Sequence, residues 1–140
     1  MNHLVIDCSV TMAWCFEDEC DGYADSTLAA LASVQARVPC VWSLEVANVL
    51  LVAERRARIA PADSARFVQL LSELPIAVEH DDRRRTQGAV LDLARRTGLS
   101  AYDASYLDLA MRLGVPLATR DNELREAASA NSVQLFDPAG

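Results

Sequence analysis

Five short apolar runs punctuate the chain: HLVID at 3–7, VPCVW at 38–42, IAVEH at 76–80, VPLAT at 115–119 and VQLF at 133–136. Runs this short have the length of buried strands and fall well below that of a buried helix. The segments between them have helical periodicity, at 9–17, 25–36, 44–58, 62–74, 82–97, 101–113 and 122–130. Strands that alternate with helices specify an α/β architecture around a parallel sheet. Punctuation residues support the boundaries. Ser43 and Ser100 read as N-caps, Pro61 as a helix start, and Pro75, Gly98 and Gly114 as helix stops. No internal repeat, linker or low-complexity tract interrupts the pattern, so residues 1–140 are expected to form one domain.

Composition removes several classes of function. With 51% apolar residues the chain can offset its ordering entropy, so disorder is excluded. No apolar run approaches the roughly 20 residues of a membrane span, and no signal peptide is visible, so a cytoplasmic location is expected. All 13 basic residues are Arg. A chain without lysine has no Walker A phosphate loop, no Schiff base and no lysine general base. A formal net charge of −7 argues against a passive basic coat on nucleic acid. The cysteines, Cys8, Cys15, Cys20 and Cys40, include no C-x-x-C pair and are expected to be reduced, with Cys8 and Cys40 as small buried fillers. His3 and His80 lie far apart and form no ligand pair.

In open α/β sheets ligands bind at the carboxyl ends of the strands, and four carboxylates fall there. Asp7 closes the first run, Glu45 follows the second just past Ser43, Asp103 lies in the first turn after Ser100, and Asp121 follows the fourth run. Each alone has an ordinary explanation, since acids in a first helical turn favour the helix dipole and Asp is a common turn residue. Together they would repel and raise one another's pKa. A bound divalent cation resolves this, and all-oxygen ligands select Mg²⁺ or Mn²⁺. Such a site suits hydrolysis of a phosphodiester.

The runs VIDCSV at 5–10, Ser-Leu-Glu-Val-Ala-Asn at 43–48, LSAYDASYLDLA at 99–110 and LATRDNEL at 117–124 resemble those of a PIN domain. More narrowly, they resemble the VapC toxins of bacterial and archaeal toxin–antitoxin pairs, over essentially the whole chain. The resemblance implies a five-stranded parallel sheet flanked by helices and an endoribonuclease dependent on Mg²⁺ or Mn²⁺. It also implies a homodimer and a small antitoxin partner whose C-terminal segment covers the active site. Carried over residue by residue, Asp7, Glu45, Asp103 and Asp121 match the family's acidic positions, and Ser9 and Thr119 match the supporting hydroxyls. Asn48, three residues after Glu45, is placed to hold a metal-bound water or a phosphate. Asp108, five residues past Asp103, faces away.

Arg120 is a candidate for a bidentate contact to the substrate phosphate. Arg55-Arg56-Arg58, Arg83-Arg84-Arg85 and Arg95-Arg96 read as helix-end or ion-pairing residues ahead of an RNA-tracking surface. Trp14, Phe16 and Leu50-Leu51-Val52 suit either the core or a groove for an antitoxin helix. Phosphotransfer folds of the haloacid-dehalogenase or receiver type need a second acid near strand one and a lysine. Position 9 is Ser and lysine is absent. The alternative to an enzyme is a binding module that keeps the acidic pocket without turnover.

Overall fold

Leu4, Val5 and Ile6 have no exposed surface. The strand they form, β1 (His3–Ile6), is paired on both sides in the computed structural model, which describes residues 2–19 and 21–139. On one flank β2 (Gln35–Pro39) runs parallel, with Leu4 opposite Ala36. On the other, β4 (Leu117–Ala118) runs parallel, with Val5 opposite Leu117. β3 (Ile76–Glu79) adds outside β2, giving the order β3-β2-β1-β4.

The helices are crossovers between these parallel strands. α1 (Cys8–Ala13) and α2 (Gly22–Ala30) join β1 to β2, and α3 (Val41–Arg55) and α4 (Pro61–Glu73) join β2 to β3. The chain then runs through α5 (Arg83–Arg85), a π-helical turn (Thr86–Val90), α6 (Leu91–Thr97) and α7 (Ala101–Leu113) to β4, and closes with α8 (Asn122–Ala130). The first two crossovers step outward on one side of β1, and the third returns to its other side. That reversal opens a crevice at the carboxyl ends of β1 and β4. α7 packs over β1 and β2 and buries Ala104, Tyr106, Leu107 and Leu109. No helix among the described residues is long and apolar enough to cross a membrane.

Local signals placed most helices correctly. Ser100 accepts from the Asp103 backbone N–H at 3.1 Å, and Gly98 and Gly114 take the left-handed conformation, φ 76° and 65°, that ends a helix. Several expectations are corrected. The sheet has four strands rather than five, because 133–136 contributes only a single parallel bridge, Leu135 to Leu117. β4 is two residues long and preceded by Pro116, which has no N–H to extend the ladder. The second strand lies at 35–39 rather than 38–42: Gln35 and Arg37 alternate with buried Ala36 and Val38, and Arg37 forms an ion pair with Glu79 on β3. α3 therefore starts at Val41, and Ser43 is an exposed residue inside it rather than its cap. Cys40, at the turn between β2 and α3, is exposed rather than buried, its thiol donating to the Glu79 carbonyl at 3.1 Å. Cys8 and Cys15 are free and partly buried, and Cys20 lies outside the described residues.

Several arginines hold the scaffold together. Arg58 pairs with Asp18 and lies over the Phe16 ring, and Arg96 pairs with Asp92. Asp108, buried on α7, accepts from Arg85 Nε at 2.9 Å, Arg85 Nη2 at 2.6 Å and Arg112 Nε at 3.1 Å. The network fastens α7 to α5 on the face away from the crevice. Asp108→Ala leaves Arg85 without its acceptor and Arg112 with only its 3.5 Å contact to Asp81. Both are partly exposed and can rehydrate, so the expected loss of stability is about 1–3 kcal/mol. It would be read as a lower urea midpoint at unchanged m-value.

Candidate active site

Where β1 ends, Asp7 continues the pairing, its N–H donating to the Ala118 carbonyl at 3.2 Å. Its side chain caps α1. Oδ1 accepts from the Val10 N–H at 3.1 Å and the Ser9 hydroxyl at 2.7 Å, and Oδ2 accepts from the Thr119 hydroxyl. Both hydroxyls also accept: Ser9 Oγ from the Arg120 N–H at 3.1 Å, Thr119 Oγ1 from the Asp121 N–H at 3.0 Å. Two side-chain hydroxyls thus stitch residues 7–9 to residues 119–121 across the crevice. Asp121 in turn caps α8, accepting from the Glu123 N–H at 3.2 Å.

Glu45 and Asp103 approach from the other elements. Glu45 is half-buried in the second turn of α3, one turn deeper than a cap at Ser43 implies. Its Oε1 accepts from the Tyr106 hydroxyl at 2.6 Å. Tyr106 is 1% exposed and lies three residues after Asp103 on α7, so one helix supplies both an acid of the site and the group that orients another.

The electrostatics show that these groups face one another. Burial pushes the Asp7 carboxyl up to about 6, against the donors from Thr119, Ser9 and Val10, and Asp103 adds to the rise. Glu45 is raised by burial and by Asp103, with the Tyr106 hydrogen bond opposing. Asp103 is raised by burial and by Asp121, with Glu123 adding. Cys8, between them, is pushed up to about 12 by burial and then by Glu45, Asp7 and Asp103 together. The charge acting on Asp7 and on Glu45 is that of Asp103, and the charges acting on Asp103 are those of Asp121 and Glu123.

This donor set fits a hard divalent cation: it is all oxygen, it carries excess negative charge, and Asp7 keeps about one lone-pair direction beyond the three already used. Among the described residues no three His, Cys, Asp or Glu side chains are drawn together closely enough to hold an ion as they stand. For Asp7, Glu45, Asp103 and Asp121 to hold one, the side chains of the last three would have to close inward around Asp7.

Asp7, Ser9, Thr119 and Asp121 form one hydrogen-bonded group, and Glu45 and Asp103 join it through their charges. Asn48, one turn beyond Glu45, is exposed. Arg120 is not free: its Nε donates to Asp21 Oδ2 at 2.8 Å. Asp108 lies outside the site, as its helical angle implies. Phe16 and Leu50 are core residues and Trp14 donates to the Ala24 carbonyl at 2.8 Å, whereas Leu51 is 40% exposed. Sequence reasoning missed Tyr106, although its spacing from Asp103 placed it on a neighbouring helical position. It also missed Asp21, which no spacing connects to Arg120.

Comparison with known proteins agrees with this architecture. The PIN domain family model matches residues 4–130. Ribonuclease VapC9 of Mycobacterium tuberculosis is 31% identical over 132 residues, covering 91% of this chain and 92% of that protein. Among solved structures, PAE2754 from Pyrobaculum aerophilum superposes with a TM-score of 0.69 at 23% identity, covering 90% of this chain and 84% of that one. A toxin–antitoxin complex from Klebsiella pneumoniae gives a TM-score of 0.66 at 17% identity, covering 96% and 97% of the two chains. The chain belongs to the PIN-domain family, within its VapC branch.

Proposed function

We propose that this protein is a metal-dependent endoribonuclease that hydrolyses RNA phosphodiester bonds, using Mg²⁺ or Mn²⁺, and acts as the toxin of a toxin–antitoxin pair. The observation that carries the reading is the group of carboxylates at the strand-order reversal, where Asp7, Glu45 and Asp103 are raised first by burial and then by a neighbouring acid. Kinship with a protein named as a ribonuclease, and likeness of fold to a chain from a toxin–antitoxin complex, support the toxin role. On the same kinship the chain is expected to form a homodimer in the cytoplasm and to bind a cognate antitoxin.

Asp7, Glu45, Asp103 and Asp121 would hold the ion, which when bound supplies Lewis acidity toward the phosphate and lowers the pKa of a water. The chain's own residues do the positioning. Ser9 and Thr119 fix both oxygens of Asp7, so one ligand is immobile before any ion arrives. Tyr106 holds Oε1 of Glu45 and leaves its second oxygen available as a ligand or as acceptor of the proton released by the attacking water. Asp103 lies in the first turn of α7 and Asp121 caps α8, so both acids are carried on helix N-termini that open at the crevice.

In the expected outcome, Asp7→Asn and Asp103→Asn lower RNA cleavage by more than about 100-fold while leaving the circular dichroism spectrum unchanged. Metal-independent cleavage by the wild-type chain, or metal binding without turnover on a broad RNA panel, would contradict the reading. The second result would instead favour a binding module.

A pH dependence follows from Asp7. Its carboxyl is raised from 3.8 to about 6 on folding, so the folded state holds a proton that the unfolded chain has released. With metal chelated, stability is therefore highest below pH 4 in this term and falls as pH rises through 6, by up to about 3 kcal/mol. Differential scanning calorimetry in EDTA should show the falling Tm, and saturating Mn²⁺ should raise Tm more at pH 7.5 than at pH 5.

A further inference from the structure

A cleft of about 530 Å³ opens beside the carboxylates, lined by Ser9, Asp21, Tyr23, Arg120, Asp121 and Arg125. It brings two guanidinium groups to the edge of an otherwise acidic site. Arg125 donates from Nη1 to the Thr119 carbonyl at 2.7 Å and stands 5.2 Å from the centroid of the Tyr23 ring. Both of those partners are neutral, so its positive charge is not cancelled. Arg120 is held differently, in an ion pair with Asp21 in which the side chains are 30% and 40% exposed. Asp21 divides its work: Oδ1 caps α2 by accepting from the Ala24 N–H at 2.7 Å, and Oδ2 takes Arg120 Nε. On Arg120 a carboxylate oxygen thus occupies the position that a phosphate oxygen of a bound strand would take.

We propose that this cleft is the subsite for the RNA phosphate adjoining the one that is cut, that Arg120 is its contact, and that Asp21 is an internal competitor from which Arg120 transfers when RNA binds. The inference rests on the nuclease reading and deepens it. The exchange is physically cheap. A partly exposed ion pair shifts an equilibrium by no more than about fivefold, whereas a guanidinium on phosphate makes strong charge-assisted, often bidentate hydrogen bonds. The Arg120 backbone N–H is fixed by Ser9 Oγ, so its side chain can swing between partners without moving Thr119 or Asp121. The uncancelled charge of Arg125 in the same cleft favours an anion there, and Asp21 offsets the charge of Arg120 until RNA arrives.

The test is a double-variant cycle on the full chain. The readout is the Kd, from fluorescence anisotropy in CaCl₂ buffer, of a fluorescein-labelled single-stranded RNA dodecamer of mixed sequence. Asp21→Asn keeps the cap, since Asn caps as well as Asp, and should tighten binding about two- to fivefold by removing the competitor. Asp21→Ser, also a capping residue, should do the same. Arg120→Ala should weaken binding and lower the slope of log Kd against log salt by about 0.7, the loss of one phosphate contact. In the Arg120→Ala background, Asp21→Asn should change nothing. Equal tightening in both backgrounds would show that Asp21 acts only as a nearby negative charge, and no tightening in either would remove it from the binding pathway. Each result overturns the proposal while leaving metal-dependent cleavage by the wild-type chain intact. Failure of the wild-type chain both to bind this RNA and to cut RNA with Mg²⁺ or Mn²⁺ overturns the proposal together with the nuclease reading.

Discussion

The hydrogen bonds of the Asp7 carboxylate are the constraint on which the site depends. One oxygen caps α1 and takes the Ser9 hydroxyl, and the other takes the hydroxyl of Thr119, which follows β4. β1 and β4 are neighbours in the sheet but more than a hundred residues apart in sequence, and the crevice between them exists because the third crossover reverses direction. The hydroxyls turn that topological accident of strand order into a fixed geometry: the segments carrying Asp7 and Asp121 are tied at their side chains as well as by the strand ladder. A buried carboxylate without such donors would be costly. With them it remains a carboxyl whose charged form is still disfavoured, as its raised pKa shows.

The chain's acidity takes its meaning from the same place. Four of the carboxylates behind the net charge of −7 converge on one crevice, and the arginines are mostly engaged elsewhere. Arg85 and Arg112 serve Asp108 on the far face of α7, Arg58 serves Asp18, and Arg120 serves Asp21. Negative charge therefore accumulates at the strand ends, and Arg125 stands at the edge of the crevice without balancing it. A divalent ion, followed by a polyanionic substrate, is the chemistry that such an arrangement accommodates.

The parts of this that were legible in the sequence are those set by local rules. Ser100, Gly98 and Gly114 delimit α7 and its predecessor because caps and left-handed stops act within a few residues. The four acids can be singled out because strand ends and helix starts are recognisable from local pattern. What could not be read depends on partners distant in the chain. β2 begins at Gln35, a polar start that makes sense only once Arg37 meets Glu79 on the adjacent strand. The last strand shrank to one bridge because its neighbour is two residues long, and Arg120 found Asp21 from 99 positions away. Tyr106 lies between these cases: its helix position was readable, but its hydroxyl partner on α3 was not.

The central claim is that divalent metal binds at the mutually repelling carboxylates and displaces the proton that burial leaves on Asp7. Isothermal titration calorimetry of the metal-free chain with Mn²⁺, repeated in buffers of different ionisation enthalpy, counts the protons released per ion. With the Asp7 carboxyl raised to about 6, the account predicts release of about half a proton per ion at pH 6, declining toward zero by pH 8. Absence of Mn²⁺ binding, or binding with no proton release at pH 6, would contradict it.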